Sequence, residues 1–353
     1  MTAKAIFQHS HEAKAAASQT QTLRVVPLDS RYAHLDALIG KLRERDRVTF
    51  DLQVDGLRHR VEWPLDFSEY RVIASTTPVS LHLSTRGSFP ELEVLRSHLL
   101  HSDLDLLTYY TCSTSSARYL QNSQDRMDWF FALDFFVDGP GMPPELREEV
   151  VRGLTAWLEN RSHRSRLTWV NSLNAMLRVV LEDIEHDGLD TALIVRDTRR
   201  YFEGFLLEFD RTVPLERYLE NRARTIGMGP EVESCFAYLG KPLPLQERGP
   251  AERMKELAAY LVALQNDALS LRKEEGQEQG HLHLKTYFPD SREYVSFLNG
   301  FYQARYADFL AQRPRGPGPL EDLWKVCSQW ICGSLVWHLT SRRYNLGQFD
   351  ILP

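Results

Sequence analysis

Asn266-Asp267-Ala268-Leu269-Ser270-Leu271-Arg272-Lys273-Glu274 decides how this chain is read. The segment leading into it, from about Ala251, consists of good helix formers with neither Pro nor Gly. On a helix, steps of four drift only slightly around the axis, so Asn266, Ser270 and Glu274 share one face. An amide oxygen, a hydroxyl and a carboxylate together make a hard-oxygen set suited to Mg²⁺. Lys273 stands beside them, placed to meet the anion that such a metal usually bridges.

Working outward, Asp128-Trp-Phe-Phe-Ala-Leu-Asp134-Phe-Phe-Val-Asp138 is the next informative stretch. Asp134 and Asp138 are four apart and project to one face near a helix C-terminus, where Gly139-Pro140 ends the helix. Negative charge is unfavourable there. Two carboxylates flanked by Phe130, Phe131, Phe135 and Phe136 therefore call for a compensating cation. Phe130 and Phe131 precede Asp134 by four and three residues, so one of them faces inward, with Phe130 preferred. Two cationic stretches follow: Tyr218-Leu-Glu-Asn-Arg222-Ala-Arg224-Thr225-Ile-Gly227, and Trp337-His-Leu-Thr-Ser-Arg342-Arg343-Tyr344 near the end. Arg343 and Tyr344 suit charge-assisted hydrogen bonds to phosphate oxygens. The adjacent Arg342 leaves the register of that pair open by one residue. Trp324 and Trp330 read as ordinary core.

These four stretches, in this order, resemble class I terpene synthases, most closely a microbial or fungal-type sesquiterpene cyclase, over roughly residues 125–344. The first stretch is similar to the family's second metal-binding motif, N-D-x-x-S-x-x-K-E, at all five fixed positions. The second resembles the aspartate-rich motif D-D-x-x-D, but has Phe135 where the family has its second Asp. Arg222, Thr225 and Gly227 match R-x-x-T-x-G, whose Arg senses diphosphate, and Arg343-Tyr344 matches the terminal Arg-Tyr pair.

The resemblance implies an all-α fold: a single helical bundle around a central apolar cavity. It also implies three Mg²⁺, with Mn²⁺ as a substitute, held by Asp134 on one wall and by Asn266, Ser270 and Glu274 on the other, with Asp138 as a further candidate ligand. Arg222, Lys273, Arg343 and Tyr344 would bind the diphosphate, and Phe130 and Trp337 would face a carbocation. The expected reaction is ionisation of farnesyl diphosphate and cyclisation to a sesquiterpene, with a humulene-type macrocycle as the expected product class. A prenyl diphosphate synthase would carry two aspartate-rich motifs, and this sequence has one. A protonation-initiated cyclase would carry D-x-D-D, which is absent. A non-catalytic helical binding or scaffold protein decayed from a cyclase is the remaining alternative, with Phe135 as its sign.

The rest of the sequence sets the frame. A net charge of −6 with no long basic stripe argues against a nucleic-acid partner. No segment approaches about 18 uninterrupted apolar residues, so no transmembrane helix is expected. Cys112, Cys235, Cys327 and Cys332 are scattered, which predicts reduced thiols in a cytoplasmic protein, monomeric or homodimeric. Residues 1–25, rich in Ala, Ser, Thr and Gln, read as a mobile tail, and 26–353 as one domain, with the motifs in 90–345. Period-two alternation on either side of Asp55-Gly56 suggests a hairpin in an otherwise helical chain. From Pro90 the helical period predicts helices near 91–101, 103–120, 125–138, 144–161, 165–187, 189–211, 214–225, 250–275, 290–312 and 319–343. Breaks are expected at Gly139–Pro144, Gly227–Pro230, Gly240–Pro250 and Arg313–Pro319.

Overall fold

The computed structural model describes residues 38–72, 92–112, 116–137, 142–274 and 282–344, and of Leu92, Glu93, Val94, Ser97, Arg272 and Glu274 the backbone alone. The expected N-terminal tail and Asp138 lie outside the described residues. The hairpin forms where the alternation placed it. β1 (Arg47–Val54) runs antiparallel to β2 (Leu57–Pro64), with Val54 opposite Leu57. Asp55 and Gly56 take φ of 52° and 75°, the left-handed pair that a two-residue turn of matching twist requires. Val48, Phe50, Leu52 and Val54 face inward with Val61 and Trp63. Trp63 stacks on Tyr302, 4.2 Å between ring centroids, so the hairpin lies against the helix Ser291–Ala311.

Beyond the hairpin the described chain is helical. It comprises α1 (Leu92–His101), α2 (Leu104–Thr111), α3 (Ala117–Val137), α4 (Pro144–Glu159), α5 (Thr168–His186), α6 (Ala192–Phe205) and a 3-10 turn (Leu206–Phe209). Then come α7 (Leu215–Thr225), α8 (Met228–Tyr238), α9 (Arg248–Leu269), α10 (Leu271–Glu274), α11 (Ser291–Ala311), α12 (Pro319–Thr340) and a 3-10 turn (Arg342–Tyr344). α9 is buried on nearly every side, as an almost continuous apolar run from Leu257 to Leu264 requires. It packs against α7, α11 and α12, and α12 in turn lies on α2. That last contact depends on Gly333, where a Cβ would overlap the Tyr110 carbonyl. The four cysteines are buried and form no disulfide with one another, and no helix among the described residues is long and apolar enough to cross a membrane.

The sequence and the structure part at three places. The expected helix 103–120 is two helices, α2 and α3, because α2 ends at Thr111 and Cys112 is extended (φ −72°, ψ 142°). The Gly227–Pro230 cluster does not open into a loop. Gly227 (φ 77°) breaks α7, and Met228-Gly229-Pro230 is the first turn of α8, where the missing Pro N–H has no partner to lose. α9 ends at Leu269, short of the expected 275. Ser270 nevertheless keeps helical angles (φ −83°, ψ −15°) and donates its N–H to the Asn266 carbonyl at 2.8 Å, so the helical sense carries into α10.

α3 carries a buried carboxyl group, Asp128, that no metal or anion site uses. Asp128 is fully buried; its Oδ1 accepts from Gln124 Nε2 at 2.8 Å, and its Oδ2 has no partner. Burial pushes this carboxyl well above the usual carboxylate range, with Asp125 and Asp105 adding to the rise and the Gln124 hydrogen bond opposing it. A group raised on folding contributes stability below its unfolded pKa, about 3.9 for Asp, and loses it as pH climbs towards the folded value. Asp128→Asn removes that loss. Urea unfolding should show the variant gaining on the wild type as the pH rises above the unfolded value, by about 1.4 kcal/mol per pH unit until the folded value is reached. A constant difference between the two proteins would mean Asp128 is ionised in the fold.

Candidate active site

One pocket gathers the motifs. α3 lines it with Met127, Phe130, Phe131 and Asp134, the spacing of a single helical face. α6 adds Tyr201 and Phe205, and its 3-10 extension adds Glu208. Arg222 and Thr225 come from α7, Ile226 and Gly227 from the break, Val262 and Asn266 from α9, and Lys273 from α10. α12 supplies Trp330, Ser334, Trp337 and His338, and Arg343 and Tyr344 follow it. On α3 and α9 the apolar residues come first and the polar ones last, and on α12 Trp330 comes first and His338 last. Asn266 Nδ2 donates to Tyr344 Oη at 3.1 Å, and the Arg343 guanidinium lies 4.4 Å over the Phe131 ring, so these helix ends meet. The pocket is thus an aromatic chamber with a polar end.

The polar end is organised by Arg222. This side chain is buried, and it donates from Nε to Asp267 at 3.0 Å, from Nη1 to Glu208 at 3.0 Å, and from Nη2 to Asn266 Oδ1 at 2.7 Å. Tyr218 holds the other oxygen of Asp267 at 2.6 Å, and Thr225 donates to Glu208. Burial alone would lower the guanidinium, but Asp267 and Glu208 hold it well above its ordinary value. The expected diphosphate sensor is therefore already bonded to two carboxylates and to one expected metal ligand.

Asn266 sits between cation and base. Its Oδ1 takes the Arg222 bond, while its Nδ2 lies 3.1 Å from His338 Nε2. His338 is held neutral, its pKa pushed down to about 3 by burial and by the cations Arg343, Arg222 and Lys273, against the Ser334 carbonyl bond. Ser270 is buried with its Oγ unpartnered. A buried hydroxyl without a partner, one turn from a carboxamide oxygen, is what a hard divalent cation completes, so this donor set fits Mg²⁺. Among the described residues no group of three or more His, Cys, Asp or Glu side chains is arranged to hold a metal ion. The expected set, being Asn and Ser with one Glu, does not need such a cluster.

Across the pocket, Asp134 Oδ1 accepts from Tyr201 Oη at 3.4 Å. Phe135, at the second-aspartate position, does not line the pocket; it packs beside His98, 4.9 Å between centroids, and against Phe136. A carboxylate there would not face the chamber. Of the two adjacent C-terminal arginines, Arg343 lines the pocket. Arg342 instead clamps Asp103, with Nε 2.9 Å from Oδ1 and its backbone N–H 2.7 Å from Oδ2.

Two expectations about the aromatics need correction. Phe130 and Phe131 both line the chamber, because positions 130 and 131 straddle the face that Met127 and Asp134 define. Trp330 also lines it rather than belonging wholly to the core, whereas Trp324 stacks on Phe309 as core. Glu208, His338 and Tyr201 were not singled out from sequence. His338 had a signal, since Trp330, Ser334, Trp337 and His338 form a helical stripe; Glu208, on a single 3-10 turn, had none.

The sequence model of the family described as "Terpene synthase family 2, C-terminal metal binding" matches residues 125–286, just under half of the chain. A 7-epi-α-eudesmol synthase from Streptomyces viridochromogenes, described as cyclising (2E,6E)-farnesyl diphosphate, is 25% identical over 223 residues. That alignment takes in 58% of this chain and 61% of the relative, so it spans less than two thirds of that protein. Among solved structures, a hedycaryol synthase superposes with a TM-score of 0.56 at 18% identity, covering 76% of this chain and 98% of that one. A linalool/nerolidol synthase from Streptomyces clavuligerus gives 0.58 at 19% identity, covering 77% and 99%.

Proposed function

We propose that this chain, which has the fold of class I terpene synthases and matches the model of the family's C-terminal metal-binding part over residues 125–286, is a class I terpene cyclase acting on farnesyl diphosphate. The observation that carries the reading is convergence. Asp134, Arg222, Asn266, Lys273, Arg343 and Tyr344, drawn from four motifs spread over more than 200 residues, line the polar end of a chamber whose walls include Phe130 and Trp337.

Asn266, Ser270 and Glu274 would hold one Mg²⁺, and Asp134, with Asp138 as a further candidate, would hold the other two of the expected three from the opposite wall. When bound, these ions supply Lewis-acid polarisation of the diphosphate oxygens and a template for its departure. The chain's own residues do the rest. Lys273, Arg343 and Tyr344 donate to the anion, and Arg222 joins them as its bond to Asn266 is given up. Phe130, Phe131, Tyr201, Phe205, Trp330 and Trp337 exclude water and offer ring faces to the allylic cation, each worth about 0.5–2 kcal/mol. His338, held neutral, adds no positive charge to the chamber.

Incubating the protein with farnesyl diphosphate and Mg²⁺ tests this, with released diphosphate measured and volatile products read by gas chromatography–mass spectrometry. Release of diphosphate with a cyclic product is expected. The same run reads the ring system, for which a humulene-type macrocycle is the sequence-based expectation. No diphosphate release would leave the non-catalytic reading, and an elongated prenyl diphosphate formed with isopentenyl diphosphate would favour a chain-lengthening enzyme.

The two neighbouring arginines should separate cleanly. Arg343→Met is expected to lower kcat/KM by on the order of 10²-fold, with folding stability nearly unchanged. Arg342→Met takes the guanidinium from the buried Asp103, which keeps the backbone N–H of residue 342, and is expected to cost about 1–3 kcal/mol of stability with a smaller kinetic effect. Steady-state kinetics and denaturant unfolding of both variants check it; the opposite pattern would exchange their roles.

A further inference from the structure

Asn266 is the one expected metal ligand whose two side-chain termini differ: its Oδ1 can hold a cation and its Nδ2 cannot. Something must decide which end is presented. We infer that His338 is a positioning residue for Asn266, its bare Nε2 taking an amide N–H and so turning Oδ1 towards the cation side of the pocket. The inference rests on the reading of Asn266 as a metal ligand.

The geometry fixes the tautomer first. His338 Nδ1 lies 2.7 Å from the Ser334 carbonyl oxygen, which only accepts, so Nδ1 carries the proton. Nε2 is then an acceptor, 3.1 Å from Asn266 Nδ2. Tyr344 Oη accepts from the same nitrogen at 3.1 Å, which consumes no donor of the tyrosine. On the other side, Arg222 Nη2 can only donate, and it lies 2.7 Å from Oδ1. A flipped amide would set oxygen against the imidazole lone pair and N–H against N–H at Arg222. Both contacts would repel.

The two restraints are not equivalent once a cation binds. A divalent cation at Oδ1 draws on the same oxygen and repels the Arg222 guanidinium, so the Arg222 restraint is the one that weakens. His338 and Tyr344 are then what holds the carboxamide. His338 suits this task because its anchor does not slide. The Ser334 carbonyl belongs to α12, and Gly333 beside it is pressed against the Tyr110 carbonyl of α2. Outer partners of this kind typically set metal affinity by 10–100-fold.

The test needs no turnover. MgCl₂ is titrated in the presence of inorganic diphosphate, read by thermal shift and by isothermal calorimetry, on the wild type, His338→Leu and His338→Gln. The wild type is expected to show Mg²⁺-dependent stabilisation. His338→Leu is expected to move the Mg²⁺ midpoint upward by roughly 10–100-fold. His338→Gln, whose Oε1 accepts the same N–H, should return it close to the wild-type value. A purely structural role would lower the metal-free Tm of both variants without separating their Mg²⁺ midpoints. An unchanged midpoint in His338→Leu overturns the inference and leaves the cyclase reading intact. No response to Mg²⁺ and diphosphate in the wild type overturns the metal reading itself. ¹⁵N-histidine NMR of the wild type gives a second readout that does not depend on a variant folding. A His338 ring protonated on Nδ1 is expected, and protonation on Nε2 would sink the inference.

Discussion

Asp134→Asn should abolish most turnover while leaving the protein as stable as before or slightly more so. The carboxylate stands near the C-terminus of α3, where the helix dipole opposes negative charge, and Phe130 and Phe131 crowd it within the chamber. Removing that charge should stabilise the helix end by about 0.3–1 kcal/mol. Asparagine still accepts from Tyr201 Oη, so the local hydrogen bond survives. What it loses is the anionic oxygen that the proposed function assigns to two metal ions. A loss of kcat on the order of 10²–10³-fold is expected, the scale of removing one preorganised electrostatic contact at developing charge. Phase-resolved kinetics beside denaturant melts will show whether activity and stability move in opposite directions. Undiminished turnover would remove Asp134 from the site. Phe135→Asp should restore nothing, because that position faces His98 and Phe136 instead of the pocket.

The contrast between Asp134 and Phe135 shows what kind of information the sequence held. Periodicity is local, and it placed Phe130 on the face of α3 that carries Asp134, and the hairpin around Asp55-Gly56, because neighbouring residues alone decide those matters. The gathering of Arg222, Asn266 and Arg343 at one end was legible only through the order of motifs. No local rule brings α7, α9 and the turn after α12 together. Three features were hidden for the same reason. Arg342 and Arg343 are adjacent and chemically alike, and the choice between them is made by Asp103, 239 residues away in sequence. A Gly-Pro cluster can stop a helix or start one, and Gly227–Pro230 does both within four residues. Glu208 gains its place only because α6 tightens into a 3-10 turn against Arg222 and Thr225.

The largest stability effect should come from a pair outside the pocket. Arg126 on α3 donates from Nε and Nη2 to the two oxygens of Glu231 on α8, at 2.5 and 2.7 Å, and both residues are almost wholly buried. Asn122 accepts from Arg126 Nη1 at 2.6 Å, and Ser123 donates to Glu231 at 3.2 Å. The pair fixes the first turn of α8, just past the Gly227 break that lines the pocket. Removing either partner leaves a buried charge, a loss of about 3–5 kcal/mol. The two single variants should differ, because a carboxyl group can escape by taking a proton and a guanidinium cannot. Glu231→Leu should therefore be the more damaging, and nearly independent of pH. In Arg126→Met, Glu231 loses the partner that now opposes its burial-raised pKa. Its folded pKa then rises further above the unfolded value, so the variant is least harmed at low pH. It should lose about 1.4 kcal/mol more per pH unit as the pH climbs between the two values. The double variant Arg126→Met/Glu231→Leu removes both charges together and should recover most of the loss. Urea unfolding of all four proteins at pH 5 and pH 8 closes this cycle. Equal losses in the two single variants at both pH values would mean that Glu231 keeps its charge without Arg126, and that the buried pair is not what restrains α8.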